Sequence, residues 1–243
     1  MRIACFGDVH GDIKNLKLLY SMLEHESLDA IYHLGDLVDR GPDPAGVIGF
    51  CIEKHIKGVA GNHDEALLRK HILTKTPPIN KDKLRSYNAI VSTHGATEYL
   101  QSLPKIVVLE QLKSLLVHAG INPLKSLEEQ NSMCCYVSMV NPDFPGLSRW
   151  SGIDRKGIPE QENRINGWRR WYELYSLPYH VYHGHTVVKD PTITPFLLRP
   201  SFNRVALDTG AWFTGMLSAA IIDTNGIKKF ISTPRVRLGQ YRE

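Results

Sequence analysis

The sequence predicts an α/β fold, and two patterns lead to this prediction. Short apolar runs recur along the 243-residue chain and stop at or close to a glycine, which is typical of buried β-strands followed by turns. After the first run, Leu16, Leu19 and Leu23 have the spacing of one face of a helix. Strands that alternate with helices are characteristic of α/β proteins.

Five of the apolar runs lead directly into short polar segments. The runs are residues 2–6, 30–34, 55–60, 115–117 and 181–182. The segments that follow them are Gly7-Asp8-Val9-His10-Gly11, Gly35-Asp36-Leu37-Val38-Asp39-Arg40-Gly41, Gly61-Asn62-His63-Asp64, His118-Ala119-Gly120 and His183-Gly184-His185-Thr186. In open α/β sheets, ligands bind outside the carboxyl ends of the strands, so we expect these segments to converge.

The chemistry of the segments indicates a metal site. Carboxylate, amide and imidazole donors are ligands that Mn²⁺, Fe²⁺ and Zn²⁺ accept. The glycines allow sharp turns, so that ligands from several loops can approach each other. An ordinary turn after a strand explains any one segment equally well. The five segments in this order favour the metal site.

The remaining elements are predicted from periodicity and turn residues. Helices are predicted over residues 14–23, 44–53 and 65–73, and a loop over the polar, proline-bearing residues 75–85. A hairpin is predicted for residues 106–109 and 113–117, with its turn at Glu110 and Gln111. Late strands are predicted over residues 205–207, 217–223 and 227–231, with a turn at Asn225-Gly226, whereas residues 141–164 give no clear pattern.

The composition is that of a globular enzyme of one domain over residues 1–243, with 42% hydrophobic and 22% charged residues. No apolar run approaches the ~18 residues of a membrane span. Met1 and Arg2 pass directly into the first strand and leave no room for a signal peptide. Four cysteines without metal or disulfide spacing indicate reduced thiols, so we expect a cytoplasmic protein. Cys134 and Cys135 receive no functional role.

The formal charge of +4 does not identify a partner. Basic residues are spread along the chain and cluster only at residues 228–229 and 235–242. A basic terminal segment is commonly a solvated tail, and no nucleic-acid-binding module is recognisable. We therefore expect neither nucleic acid nor membrane as a partner.

The five segments resemble those of the calcineurin-like metallophosphoesterases and, within them, the phosphoprotein phosphatase family. The resemblance runs from Met1 to about Phe230. Residues 118–123 and 203–211 resemble the bacterial branch, which includes protein serine/threonine phosphatases and symmetrical diadenosine tetraphosphate hydrolases. The resemblance implies two packed mixed β-sheets flanked by helices.

The resemblance also implies two divalent metal ions, with manganese as the first expectation and iron, zinc or nickel as alternatives. It assigns Asp8, His10 and Asp36 to the first ion. It assigns Asp36, Asn62, His118 and His185 to the second. Asp36 is the natural shared ligand, because one carboxylate has two oxygens and can reach both ions. Val187 stands where some relatives have a further histidine, so we expect water to complete the first shell.

Further roles follow from the same resemblance. His63 is the candidate general acid and Asp39 the carboxylate that orients it, with helix capping as the alternative role of Asp39. Arg40 is expected to bind the substrate phosphate. Ser138 stands where many bacterial relatives have a second phosphate-binding arginine. Arg149 is the nearest replacement, and an exposed loop arginine is its alternative interpretation.

Three functions remain open at this stage. The leading hypothesis is a phosphatase acting on phosphomonoesters, such as phosphoserine or phosphothreonine in proteins. The alternative is a symmetrical dinucleoside tetraphosphatase, in which Trp168, Trp171 and Tyr172 would stack on the base. An amphipathic helix that packs its tryptophans is the simpler explanation of those aromatics. An inactive phospho-binding scaffold ranks lowest, because no expected ligand is missing.

Overall fold

The computed structural model describes residues 1–130, 134, 139–149 and 167–235, with the backbone alone for residues 139, 141 and 144–149. The elements in chain order are β1 (Arg2–Phe6), α1 (Ile13–Leu23), β2 (Ala30–His33), α2 (Pro44–Glu53), β3 (Lys57–Gly58), α3 (Asn62–Leu67), α4 (Lys81–Ser92), α5 (Ala96–Ser102), β4 (Ile106–Leu109), β5 (Ser114–Val117), β6 (Met139–Asn141), β7 (Phe144–Arg149), β8 (Arg169–Arg170), β9 (His180–His183), β10 (Thr192–Pro195), β11 (Asn203–Ala206), α6 (Ala211–Thr214), β12 (Ser218–Asp223) and β13 (Gly226–Ser232).

These elements form two five-stranded mixed sheets. The first sheet has the order β13-β12-β1-β2-β3, and the second has the order β10-β11-β9-β5-β4. In the first sheet β1, β2 and β3 run parallel, and in the second sheet β5, β9 and β11 do so. A small third sheet has the order β7-β6-β8. The predicted α/β class with two packed mixed sheets and flanking helices is confirmed.

The alternation of side chains along the strands separates two cores. Ile3 and Cys5 of β1 face the second sheet and pack in a cluster with Leu116 and Tyr182. Ala4 and Phe6 face the opposite way and pack in a cluster with the apolar stripe of α1. The first sheet is therefore covered on one face by helices and on the other by the second sheet.

The outer face of the second sheet is covered differently. Trp171, Tyr175 and Phe196 pack on it, and the rings of Tyr175 and Phe196 stack with their centroids 4.1 Å apart. The segment around Trp171 consists of β8 and one 3₁₀ turn, Trp171–Glu173, so the predicted amphipathic helix is wrong. Packing nevertheless explains Trp171, which is 2% exposed. We call this cluster the aromatic layer.

The predicted boundaries differ most from the structure at α3 and α4. The third helix begins at Asn62 rather than residue 65, and a π-helical turn, Leu68–Ile72, continues it. The predicted loop over residues 75–85 ends early, because α4 begins at Lys81. The side chain of Asn80 caps this helix by accepting from the backbone N–H groups of Asp82 and Lys83.

The hairpin of β4 and β5 and the late hairpin of β12 and β13 both form where they were predicted. The turn of the late hairpin is formed by Thr224 and Asn225, one residue earlier than predicted, and Gly226, the first residue of β13, has a φ of 95° that favours glycine. Among the described residues, no helix is long and apolar enough to cross a membrane.

Candidate metal centre

The structure brings all of the predicted metal ligands together at the carboxyl ends of the parallel strands. Each ligand lies in the loop that follows its strand, after β1, β2, β3, β5 and β9. The ligands are Asp8, His10, Asp36, Asn62, His118 and His185. The loops of the first and second sheets thus meet at one edge of the sandwich.

Asp36 lies at the middle of the cluster. Its Oδ2 atom is 3.5 Å from Nε2 of His10 and 3.4 Å from Nε2 of His118. Asp36 also belongs to two groups of convergent donor atoms, one with His10 and His63 and one with Asp8 and His118. Within each group these atoms lie within 4.8 Å of one another. One carboxylate therefore faces two separate sets of donors.

Backbone carbonyls fix the orientation of two imidazoles. Nδ1 of His10 donates to the carbonyl of Val38 at 2.8 Å, and Nδ1 of His118 donates to the carbonyl of Leu34 at 2.7 Å. Each ring consequently directs Nε2 toward Asp36. A histidine that binds a metal through one ring nitrogen usually donates the N–H of the other nitrogen to a backbone carbonyl or a carboxylate. The donor set therefore fits a divalent cation.

The other ligands are close together on the far side of His118. Oδ1 of Asn62 lies 2.9 Å from Nε2 of His118 and 2.8 Å from Nδ1 of His185. The two imidazole nitrogens are 3.2 Å apart. The backbone N–H of His185 donates to Oδ1 of Asp8 at 3.0 Å, which ties the loop after β9 to the loop after β1.

The electrostatics of this cluster favour a bound cation. Burial and the neighbouring carboxylate of Asp208 raise the pKa of Asp8 well above its usual value. Burial also opposes the charged form of His118, but Asp36 and Asp8 raise the pKa of this imidazole to about 10. The two carboxylates thus keep His118 protonated. A cation bound at this position would neutralise the carboxylates in place of that proton.

The two remaining imidazoles are in the form that binds metals. Burial lowers the pKa of His10 to about 4 and the pKa of His185 to about 3. Both side chains are therefore neutral at physiological pH. A neutral imidazole keeps a lone pair available, and ligation requires this lone pair.

Backbone strain concentrates at the cluster. Nine non-glycine residues in the described part of the chain have positive φ, and five of them are site residues. These five are His10, Asp36, Asp39, Arg40 and His185. Left-handed backbone costs energy for such residues and persists where the surrounding structure imposes it, most often at functional sites.

Two glycines allow the loops to pack this closely. A Cβ atom at Gly61 would overlap the backbone nitrogen and the carboxylate of Asp36. A Cβ atom at Gly184 would overlap the carboxylate of Asp8. At these two positions, the glycine of the motif is required by close approach rather than by the turn itself.

Asp64 is a supporting residue that the sequence did not identify. Its carboxylate accepts the backbone N–H groups of Asp36, Leu37, Val38 and Gly61 at 2.8 to 3.2 Å. It therefore holds the loop after β2 against the start of α3. Its position directly after His63 in a polar motif was the only available signal, because these acceptor contacts join loops that are distant in the sequence.

Asp208 is a second buried carboxylate at the site. It follows β11, and its Oδ1 accepts the N–H of Gly210 at 2.9 Å. The backbone of Leu207 and Asp208 occupies the space where Gly7 would carry a Cβ. Burial raises the pKa of Asp208 to about 6. The sequence placed this residue in a family-like segment and gave it no role.

His63, Asp39 and Arg40 form a group at the margin of the cluster. Nδ1 of His63 donates to Oδ2 of Asp39 at 2.7 Å, and Nη2 of Arg40 lies 3.2 Å from Nε2 of His63. The capping alternative for Asp39 is wrong, because Asp43 caps α2 by accepting from the N–H of Gly46. The carboxylate of Asp39 instead orients the imidazole.

The other predicted positions are less informative. Arg149 ends β7, and its side chain, like Ser138 and Trp150, lies outside the described residues. His183 is buried, and its ring lies 6.1 Å edge-on from Trp171. Cζ of Arg204 lies 3.9 Å from the ring centre of Tyr172.

Comparison with known proteins gives the family and several named relatives. The sequence profile of the calcineurin-like phosphoesterases matches residues 1–204. The symmetrical bis(5'-nucleosyl)-tetraphosphatase of Hamiltonella defensa subsp. Acyrthosiphon pisum (strain 5AT) is 34% identical over 121 residues, covering 48% of this chain and 43% of that protein. The matched region thus spans less than half the length of this relative.

A longer match and a solved structure complete the comparison. The symmetrical bis(5'-nucleosyl)-tetraphosphatase of Proteus mirabilis (strain HI4320) is 27% identical over 262 aligned positions, covering 87% of this chain and 91% of that protein. A crystal structure provisionally described as a diadenosine tetraphosphatase superposes with a TM-score of 0.70 at 22% identity. The superposition covers 97% of this chain and 94% of the other chain. At this level of identity, the match shows that the two proteins share a fold.

Proposed function

The chain belongs to the calcineurin-like phosphoesterase family, and from this premise we propose that it is a dinuclear metal-dependent hydrolase of symmetrical dinucleoside tetraphosphates. Water would cleave the central phosphoanhydride and release two nucleoside diphosphates. The proposed ions are two manganese ions, with iron, zinc or nickel as alternatives. The two curated relatives described above both carry the tetraphosphatase name, which supports this substrate over a phosphoprotein.

One observation carries the dinuclear part of the proposal. A single oxygen of Asp36 lies 3.5 Å from Nε2 of His10 and 3.4 Å from Nε2 of His118, and the two imidazoles come from different sheets. In this proposal Asp8, His10 and Asp36 hold one ion, and Asp36, Asn62, His118 and His185 hold the other. The ions would supply Lewis acidity and a lowered pKa for the attacking water.

The residues at the margin perform the remaining steps in this proposal. Asp39 accepts from Nδ1 of His63 and thereby fixes the ring, so that Nε2 is the nitrogen that can carry a proton to the leaving oxygen. Nη2 of Arg40 donates to Nε2 in this structure and would donate to the substrate phosphate instead, which frees the imidazole. The bond between phosphorus and the leaving oxygen breaks as that oxygen takes the proton.

A second guanidinium on the same margin suits a polyphosphate. Nη2 of Arg85 donates to the carbonyl of Arg40 at 3.1 Å, and Asp82 accepts from the same nitrogen at 3.2 Å. The guanidinium of Arg85 is thus held against the backbone of Arg40, the residue proposed to bind phosphate. A tetraphosphate has more charge to neutralise than a monoester, and two adjacent arginines fit this requirement.

A specific observation favours a second candidate function, hydrolysis of phosphoserine or phosphothreonine. The bond between His63 and Asp39 builds a well-oriented acid. Acid catalysis helps most when the leaving group is a poor one such as an alkoxide, whereas a nucleoside diphosphate departs with less assistance. The acid pair is therefore more useful to a phosphomonoesterase than to a tetraphosphatase.

A side-by-side rate comparison separates the two candidates. The protein loaded with Mn²⁺ is assayed on diadenosine tetraphosphate and on a phosphoserine peptide, with product analysis by chromatography. The proposal predicts a kcat/KM at least about tenfold higher on the tetraphosphate, with ADP as the only nucleotide product. Products of ATP and AMP would contradict symmetrical cleavage. Turnover of the peptide alone would establish the second candidate.

A further inference from the structure

The short helix α6 places an aromatic ring against the predicted phosphate-binding arginine. Cζ of Arg40 lies 5.3 Å from the ring centre of Trp212. The ring of Phe213 lies 4.9 Å from the Trp212 ring at an angle of 65°. A guanidinium within about 6 Å of an indole face is attracted by the ring quadrupole. Trp212 and Arg40 are 172 residues apart in the sequence and come from loops of different sheets.

Both partners are anchored to the candidate metal centre. Arg40 follows Asp36 in the loop after β2, and both Asp39 and Arg40 have positive φ, of 65° and 64°. Trp212 follows the loop after β11, where Gly210 donates its backbone N–H to Asp208. The backbone that carries Trp212 is therefore tied to the loop after β11.

The face of the indole, rather than its N–H group, makes the contact. Nε1 of Trp212 is buried, and no acceptor for it is found among the described residues. The side chain of Arg40 is long and belongs to an exposed residue, so it would otherwise sample many rotamers. The described contacts of its guanidinium are the ring of Trp212 and Nε2 of His63.

We infer that Trp212 is a positioning residue, whose indole face holds the guanidinium of Arg40 beside His63, ready for the substrate phosphate. The inference rests on the proposed function, because it takes Arg40 as the residue that binds phosphate. Trp212 itself does not contact the reacting atoms in this scheme. Because Trp212 restricts the guanidinium before the substrate binds, Arg40 loses less conformational entropy on binding.

A double-mutant cycle tests the inference on the manganese-loaded full chain. Trp212→Leu is expected to raise KM on diadenosine tetraphosphate roughly 3–10-fold, with kcat changed less than about twofold. Trp212→Phe keeps an aromatic face and, among the described contacts, loses no hydrogen bond, so it should recover most of the loss. In the Arg40→Ala background, Trp212→Leu should have no further effect on KM.

A matched control removes a comparable contact elsewhere. Nζ of Lys54 lies 5.6 Å from the ring centre of Tyr20 on α1, away from the ligand loops. Tyr20→Leu should leave KM unchanged. If Trp212→Leu weakened binding equally with and without Arg40, or if Trp212→Phe were as impaired as Trp212→Leu, the positioning role would be wrong.

The binding of inorganic phosphate distinguishes this inference from the proposed function. Calorimetry with the manganese-loaded protein should give a Kd for phosphate that Trp212→Leu raises by the same 3–10-fold as KM, at an unchanged metal content. Absence of turnover in the parent protein would overturn the proposed function and leave this binding test in force. A parent-like Kd in Trp212→Leu would overturn the positioning role, whatever the substrate.

Discussion

At the carboxyl ends of the parallel strands the protein buries charged side chains, whereas on the outer face of the second sheet it buries aromatic rings. The first region contains the four carboxylates of Asp8, Asp36, Asp64 and Asp208, each at most 3% exposed. The second is the aromatic layer around Trp171. The regions touch, because a Cβ at Gly120 in the loop after β5 would overlap the indole of Trp171.

The difference shows how stability and function are divided between neighbouring parts of one fold. Burial raises the pKa values of Asp8, Asp64 and Asp208, and strained loops cost energy, so these loops oppose folding in the absence of a cation. The aromatic layer contributes apolar burial and stacking without comparable costs. Substitutions in the ligand loops should therefore reduce activity, and substitutions in the aromatic layer should reduce the free energy of unfolding.

The largest expected effect is that of Asp36→Asn. Loss of the shared carboxylate should remove both ions together. Activity should fall well beyond the ~10–100-fold expected when a residue behind the ligands is replaced, as in His183→Ala. Metal analysis and turnover assays measure the two outcomes. Two bound ions with normal turnover would exclude a bridging role for Asp36.

The next prediction separates acid catalysis from metal binding within the ligand loops. His63→Asn should retain both ions and slow an alkyl phosphate by ~10²–10⁴-fold, because a serine-like alkoxide needs a proton as it leaves. An aryl phosphate such as nitrophenyl phosphate should be slowed far less. Asp39→Asn should change the rates in the same direction by a smaller amount. Equal losses on both substrates would show that His63 binds the phosphate instead, and loss of an ion would make it a ligand.

A large-to-small substitution tests the aromatic layer. Phe196→Ala should lower the free energy of unfolding by about 3–5 kcal/mol, because it leaves a cavity beside Tyr175. Urea denaturation of the chelated protein measures this loss. Leu197→Ala is the matched control, since Leu197 is 75% exposed and its loss should change stability by less than about 0.5 kcal/mol. Equal effects of the two variants would remove the contrast between the regions.

The smallest expected effect concerns His33, a fully buried histidine next to the ligand loops that is held in its neutral form. Its Nδ1 accepts the N–H of Gly35 at 3.2 Å, and its Nε2 donates to the hydroxyl of Tyr99 at 3.0 Å. Tyr99 in turn donates to the carbonyl of Ile56 at 2.8 Å. Burial lowers the pKa of His33 from 6.5 to about 3.

The sign of the resulting pH dependence follows from proton uptake. Between pH 6.5 and 3 the unfolded chain binds a proton at His33 that the folded chain does not bind, so stability falls as the pH is lowered. The slope contributed by this residue is at most about 1.4 kcal/mol per pH unit. His33→Asn should remove this part of the slope, and His25→Asn at the surface should keep it. Urea denaturation at several pH values gives both slopes.

The convergence of the five loops that carry the predicted ligands was foreseeable from the sequence, because each loop is a local motif after a strand. Its residues are adjacent in the sequence, and their chemistry is specific to metals. Contacts across long separations were not predictable in this way, as the carboxylate of Asp64 and the pair of Arg40 and Trp212 illustrate. Local signals also failed at α4, where the capping side chain of Asn80 lies inside a polar stretch that otherwise indicates a loop.

The central claim, two ions bridged by Asp36, is tested most directly by electron paramagnetic resonance during a titration with Mn²⁺. Two ions ~3.5–4 Å apart with a shared carboxylate are magnetically coupled. We predict two bound ions per chain and a coupled spectrum at two equivalents, which Asp36→Asn abolishes. A single bound ion, or two ions with the spectrum of isolated Mn²⁺, would contradict the account.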